Sequence, residues 1–356
     1  VLDKQINPFK TDNLLNINKS RVLREIWLSD GISRIEIAKK LNLDKSTITK
    51  IVNQLISNDF IITTTIGNTG PLGGRKPISL SINNKKGCFL GVELQTEKCI
   101  ALLINLHGDI IADYESLYES ENLESVIKSI RFLMEKINFG SPLIAVGVGV
   151  SGIINHNHGI ILKSFPLHIA NEFNLRERIV SFVDCPVIIE NDANCGCWGE
   201  FVSSKTNRTD NMLYLTGELD RKKSIGGSEI GAGIGLGIFI NGKVLHGTGF
   251  SAGEFRSVLL EEKQKNQFQA EDVSSIIDEL ARNMAMIINT FNITEFILGG
   301  TLYKYGEELL DIMAKKTNLN WAYEGHANCH IRFSKNREKD VAYGAAGMCL
   351  EQFFSI

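Results

Sequence analysis

Long apolar runs are missing from this chain. No window of about 18 residues is free of polar or charged side chains, so no segment has the make-up of a membrane-crossing helix. Nor does any early apolar block resemble a secretory leader. Proline is scarce, at 6 in 356 residues, and no Pro-rich or low-complexity stretch forms a linker. Cysteine is odd in number, at 7, and irregularly spaced, which argues against a secreted disulfide framework and fits a reducing cytoplasm. An overall excess of one charge is absent too, with 38 Lys+Arg against 41 Asp+Glu.

The charge is unevenly placed, however. Residues 1–82 hold 12 Lys+Arg against 7 Asp+Glu, and the remainder holds 26 against 34. A mildly basic head on an acidic body makes nucleic-acid contact by the head credible, because the body would repel a duplex. One such head would bind weakly, and two joined through their bodies would read a repeated half-site. The length leaves a body of about 270 residues, more than one small core serves.

Residues 32–58, ISRIEIAKKLNLDKSTITKIVNQLISN, predict two short amphipathic helices joined by a tight polar turn. Ile37, Ala38, Leu41, Leu43, Ile48 and Ile51 are spaced to pack together, with Ala38 small enough for the helices to cross. Ser33 and Asp44 stand where N-caps belong. The second helix carries Lys45, Ser46, Thr47, Thr49 and Lys50 on its outer side, a donor-rich face suited to a major groove. An ordinary helical hairpin is the alternative. The flanks extend the motif: 18–29 predicts a supporting helix through Val22, Leu23, Ile26 and Trp27, and 60–66 and 77–82 read as strands. The Gly-rich tip between them offers Arg75 and Lys76 to a minor groove or to phosphates, or is a solvated hairpin with incidental charges.

The body begins with three strands within 88–113. A helix at about 121–137, a strand at 142–154, a helix at about 173–182 and a strand at 186–190 follow. A second α/β unit starts with a strand at 212–218. Next, EIGAGIGLGIFINGKVLHG places Gly231, Gly233, Gly235 and Gly237 at alternate positions before a hairpin at Asn241-Gly242. Such spacing opens backbone amides to a phosphate or sugar, or lets two elements pack closely. A helix at 272–291, a strand ending at Gly299-Gly300 and a final helix at about 338–353 complete two α/β lobes around a cleft.

VIIENDANCGCWGE (187–200) is the most chemical segment. Its apolar strand delivers Glu190, Asn191 and Asp192 to the strand exit, where Asp192 could take a proton from a sugar hydroxyl and Asn191 orient its neighbour. A strand-end turn with a helix N-cap explains the same residues without function. Glu254 is a second candidate for gripping hydroxyls.

In this order, the helix-turn-helix head, VGVSG, IIENDANCGCWGE, GAGIGLGIFINGKVLHGTGFSAGEF and ILGG resemble the ROK family of repressors, open reading frames and sugar kinases, over nearly the whole chain. The head makes the chain similar to the repressor branch, which includes xylose-operon regulators. The resemblance implies a winged helix-turn-helix over 1–84 and a two-lobed, actin-like (ribonuclease H-like) sugar-kinase fold. Its first lobe would span 85–190, completed by 338–356, and its second 191–337. It implies a sugar or sugar-phosphate effector between the lobes, double-stranded operator DNA as partner, and a homodimer or homotetramer. By residue, it places Asn191, Asp192 and Glu254 on the sugar, with Asp192 as the base in kinases. It places Gly231, Gly233 and Gly235 in the second phosphate loop and Gly299 and Gly300 on the nucleotide side.

Two departures oppose catalysis. The first phosphate loop of the family's kinases resembles D-x-G-G-T, whereas this chain has Glu93, Leu94, Gln95, Thr96 and Glu97. Bulky side chains and an added carboxylate would block amide access and repel a triphosphate. The family's Gly-His and cysteine cluster after AGE is likewise missing, for Phe255, Arg256 and Ser257 follow. Cys195, Cys197, His326, Cys329 and His330 are poor substitutes by spacing. The expectation is a sugar-responsive repressor of a carbohydrate operon, xylose being the nominal sugar, with no cofactor, no metal and no catalysis. An ATP-dependent sugar kinase of the glucokinase type is the alternative.

Overall fold

The computed structural model describes residues 14–65, 78–118, 123–205, 207–218, 222–223, 229–230, 233–254, 273–319 and 329–355. At the N-terminal end, α1 (Leu14–Leu28), α2 (Arg34–Leu41) and α3 (Lys45–Ser57) enclose a core of Val22, Ile26, Trp27, Ile37, Ile48, Val52 and Leu55. Ser33 starts α2 with a full capping box: its hydroxyl accepts from Glu36 N, and the Glu36 carboxylate accepts from Ser33 N. Asn42, left-handed at φ 51°, ends that helix, turning the chain tightly into α3. Asp44 does occupy the N-cap of α3, but its side chain makes no capping hydrogen bond. A small sheet, in the order β1 (Ile32–Ser33), β3 (Ile78–Ile82), β2 (Ile61–Thr65), closes the unit with antiparallel pairings. The expected Gly-rich tip, with Arg75 and Lys76, lies outside the described residues.

A single 3-10 turn at Asn84–Lys86 leads straight into β4 (Cys88–Leu94), which with β5 (Lys98–Asn105) and β6 (Ile110–Leu117) forms an antiparallel meander. After α4 (Leu123–Lys136), β7 (Leu143–Val150) returns parallel to β4. The strand expected over 142–154 breaks at Ser151-Gly152. Gly152 has φ +126°, and a Cβ there would stand 2.2 Å from the Lys163 carbonyl oxygen, so the chain turns sharply. Beyond it, β8 (Ile153–Asn155), β9 (Ile160–Lys163) and β10 (Phe173–Asn174) make a separate three-stranded sheet that the sequence reading did not contain. The short helix α5 (Leu175–Val180) then precedes β11 (Val187–Asn191), parallel to β7.

The plan repeats. After α6 (Asp192–Ser203), β12 (Met212–Glu218) is central to a second sheet. A two-stranded ribbon, β13 (Lys222–Lys223) with β14 (Glu229–Ile230), precedes β15 (Gly233–Ile240) and β16 (Lys243–Val244). Following α7 (Val273–Phe291) come β17 (Glu295–Leu298), α8 (Gly306–Asn318) and β18 (His330–Phe333). The first sheet runs β11-β7-β4-β5-β6 and the second β18-β17-β12-β15-β16. Each has a central strand with an antiparallel hairpin on one side and two parallel strands on the other. This duplicated α/β plan is that of two-lobed, ribonuclease H-like folds.

The last helix, α9 (Asp340–Phe354), packs across the first sheet and against α6. The approach is backbone to backbone: a Cβ on Gly344 would lie 1.7 Å from the Cys195 carbonyl oxygen. Small residues in AYGAAG therefore serve close packing. Among the described residues, no helix is long and apolar enough to cross a membrane.

Candidate functional site

Strand β11 of the first sheet runs directly into α6, which packs against β12 and β15 of the second. Asn191 is the N-cap of α6: its carbonyl oxygen accepts from Asn194 N at 3.2 Å, and its amide donates to the Gly152 carbonyl at 3.0 Å. Both groups expected to handle a sugar hydroxyl thus already have protein partners, and any ligand contact uses what capacity remains. Asp192 accepts from Ala193 N at 2.8 Å, and Ser151, at the sharp turn after β7, donates its hydroxyl to the other carboxylate oxygen. Burial raises the Asp192 carboxyl above its ordinary range, against the lowering effect of these hydrogen bonds.

Other acids gather around it. Glu254, in the loop after β16, is pushed up to about 7 by surrounding protein and by the Asp192 charge. Its side chain stays open to solvent, so water tempers that rise. Burial pushes Glu93 up to about 8, with the charges of Asp192 and Asp340 adding to it. Asp340, at the start of α9, rises to about 7 for the same first reason, burial. Gly235 on β15 faces this group, since a Cβ there would lie 3.7 Å from an Asp192 oxygen. Gly237, by contrast, is needed for packing, because a Cβ would meet the Ala193 carbonyl at 2.5 Å. Gly233 has open space at its Cβ position, and Gly231 lies outside the described residues.

The nucleotide-side positions are arranged differently from a phosphate cradle. Gln95 N donates to the Lys98 carbonyl at 3.0 Å, so this amide is consumed inside the β4–β5 turn that holds Thr96. The Gln95 side chain donates to Glu93 at 2.8 Å, and the Tyr118 hydroxyl donates to the Gln95 carbonyl. Gly299 N donates to Leu215 O at 2.8 Å, and Gly300 takes φ +59° beside the Thr216 hydroxyl.

Two histidines were not singled out from the sequence. His246 Nε2 lies 2.8 Å from Glu190 Oε2, and its ring stacks on His156 with centroids 3.6 Å apart and an 18° tilt. Glu190 is only 3% exposed; burial favours its neutral form, but the His246 hydrogen bond and the neighbouring imidazoles outweigh this and leave its pKa lowered. Burial lowers His156 to about 4. Isolated histidines in loops give no periodic signal, which is why only the fold reveals the pair. Cys195 and Cys197, considered as ligands, are fully buried with thiols raised by burial, and they join no metal-like group among the described residues. Cys329 and His330 likewise join no such group among the described residues, while His326 lies outside them.

The face expected to meet DNA lies on α3. Lys45, Ser46, Thr49 and Lys50 are exposed and Thr47 is half-buried, with Ile48, Ile51, Val52 and Leu55 turned inward. The Thr49 hydroxyl donates to the Lys45 carbonyl at 2.7 Å, so it is left as an acceptor.

A physical path joins the two ends. α6 starts at Asp192, and the chain just past its end lays Lys205 and Arg208 over the Trp27 ring of α1, at 5.4 and 4.9 Å. Trp27 stacks on Phe354 of α9 at 4.7 Å. Glu351 of α9, 4% exposed, pairs with Arg24 of α1 at 2.5 Å and with Arg208 at 2.9 Å.

The ROK family model matches residues 89–266, and the MarR family model matches residues 15–65. A xylose repressor from Staphylococcus xylosus is 30% identical over 271 residues, 74% of this chain and 66% of its own length, just short of two thirds. A crystal structure of a ROK family transcriptional regulator, a homolog of the E. coli MLC protein, has a TM-score of 0.75 at 19% identity, covering 96% of this chain and 97% of that one. A ROK family glucokinase from Streptomyces griseus, in complex with glucose and AMPPNP, has a TM-score of 0.60 at 19% identity, covering 74% of this chain and 99% of its own. At such identities the two structural likenesses concern the fold.

Proposed function

The chain belongs to the ROK family, with a MarR-type winged helix at its N-terminus, and on that premise we propose that it is a sugar-responsive transcriptional repressor. In this reading residues 1–84 bind operator DNA. Residues 85–190, completed by 338–356, and residues 191–337 are the two lobes that take a sugar between them. It acts as a homo-oligomer in the cytoplasm, where its operator is. The observation that carries the proposal is continuity: α6 begins at Asp192 in the cleft and ends where Lys205 and Arg208 clasp Trp27 of the DNA-binding head. A sugar that alters lobe closure moves α6 against α9, and with it the α1 contact.

The cleft chemistry favours an uncharged effector. The Asp192 charge raises both Glu93 and Glu254, with Asp340 adding to the rise at Glu93, so the negative charge of a phosphate beside Asp192 would be opposed. A neutral sugar offers hydroxyls that such groups accept readily. Xylose is the first candidate, in line with the name of the Staphylococcus xylosus relative.

DNA contact falls to Lys45, Ser46, Thr47 and Lys50, with Thr49 as acceptor, and to Arg75 and Lys76 from the tip. No acidic residue interrupts α3. Catalysis is not part of the proposal, since Gln95 uses its backbone N–H internally and Glu93 keeps a proton near neutrality. One observation favours the kinase alternative: Asp192 is half-buried with a raised pKa, as a general base would be. Selection of bound duplexes from a random pool, followed by titration with pentoses, hexoses and amino sugars, tests the repressor reading. A selected site whose binding a sugar weakens is the expected result. No selectable site, together with sugar-dependent ADP release abolished by Asp192→Asn, would replace this reading with the kinase.

A further inference from the structure

The geometry points to a divalent transition-metal site of the zinc type, formed by His156, Glu190 and His246, that bridges the two lobes. One ligand atom from each of the three lies within 4.8 Å of the other two, the sole such group among the described residues. Two imidazoles and a carboxylate suit zinc or cobalt, and three protein ligands leave a fourth position for water or a ligand oxygen.

Three further features fit an ion here. Glu190 is 3% exposed, and the contacts described for it are neutral or imidazole groups: Asn191 N at 2.8 Å, Asn194 Nδ2 at 3.0 Å and His246 Nε2 at 2.8 Å. The first two hold Oε1, orienting the carboxylate as outer partners of a metal ligand do, and leave Oε2 turned to the imidazole. His156 Nδ1 is buried without a hydrogen-bond partner, a lone pair or N–H that the protein itself leaves unused. Entry is open through His246, whose side chain is 23% exposed.

The backbone frame is fixed around the three. The His156 carbonyl accepts from Arg176 at 2.8 Å, and the His246 carbonyl accepts from Ala252 N at 3.2 Å. His156 and Glu190 belong to the first α/β unit, and His246 follows β16 of the second. An ion here therefore ties the units together beside Asn191. Metal–nitrogen bonds lie in the imidazole plane, so two rings stacked at 3.6 Å cannot both aim at one ion as they stand. Loading turns one ring out of the stack, which gives the binding event its own signature.

The test uses the full chain, stripped with chelator and free of sugar and DNA, so its outcome is independent of the repressor reading. Titration with Zn2+ by calorimetry, and with Co2+ by visible absorption, should give one ion per chain at micromolar affinity or better. Mg2+ should give none. In NMR, the His156 and His246 ring protons should shift as the stack opens. His156→Ala and His246→Phe should each weaken Zn2+ binding at least tenfold; the phenylalanine keeps an aromatic ring on the stack, so a folded variant is available for comparison. Absence of micromolar binding to the wild type would overturn the site. So would unchanged affinity in both variants, or a thiolate-to-cobalt charge-transfer band that places the ion on cysteine.

Discussion

Asp192 separates two explanations of the same motif, and the residue scale is where they diverge. As an N-terminal residue of α6 it accepts from Ala193 N and from Ser151, so part of its work is structural. If it also grips sugar, Asp192→Ala should weaken sugar binding by roughly 10–100-fold, about 1.4–2.8 kcal/mol, while unliganded DNA affinity stays within twofold. Calorimetry and anisotropy on one preparation check this, and joint loss with cooperative unfolding would assign it to the turn. Glu93 gives a prediction about pH. Its pKa is raised from 4.5 to about 8, mainly by burial, so the folded state holds a proton that the unfolded chain releases. Its contribution is fully present below pH 4.5 and is lost as pH rises through about 8. Glu93→Gln should therefore be near neutral at pH 4.5 and stabilising by on the order of 2–4 kcal/mol at pH 8.5. Urea titrations at the two pH values measure the difference. Of the candidate site, Asn191 and Asp192 stand out in the sequence because an apolar strand ends in a polar cluster, and Glu254 comes from a separate segment. His156 and His246 do not, since 90 residues of chain separate them and only the fold stacks their rings.

At the scale of elements, α3 was legible because its inward residues repeat at helical spacing and its outward ones are uniformly polar. The central strands and hairpins of both sheets could be read for the same reason, as buried aliphatics between glycine turns. Two things were hidden. The sheet of β8, β9 and β10 has strands of only 2–4 residues, too short for alternation to register. The break before β8 depends on the close approach of Gly152 to Lys163, a contact between segments. Replacing Thr47 and Lys50 together by Ala should weaken specific DNA binding by about 1–3 kcal/mol and reduce its salt dependence, leaving sugar affinity unchanged. Equal loss on matched and scrambled duplexes would reduce the helix to a phosphate contact.

Across the whole molecule, two α/β units share one topology, and α9 joins the first sheet, α6 and the head into one packed body. The core around Trp27 continues into Leu350 and Phe354, so the head is not a freely tethered module. Arg208 lies at the crossing point, over Trp27 and Phe201 and paired with Glu351. Arg208→Met keeps most of that packing and removes the charge, while Arg24 still neutralises Glu351. It should preserve sugar binding and unliganded DNA binding yet reduce the sugar's effect on DNA at least threefold. Coupling of this kind was only partly legible: the sequence placed a sensor after a head, but not the aromatic stack that fastens them.

The central claim is that sugar in the cleft changes the grip of the head on DNA. Fluorescence anisotropy of the full chain on its selected duplex, with and without a sugar whose binding calorimetry has established, measures this directly. The account predicts that saturating sugar weakens specific DNA binding by roughly 5–150-fold and that Asp192→Ala abolishes the effect. An operator affinity identical in the presence and absence of bound sugar would contradict it.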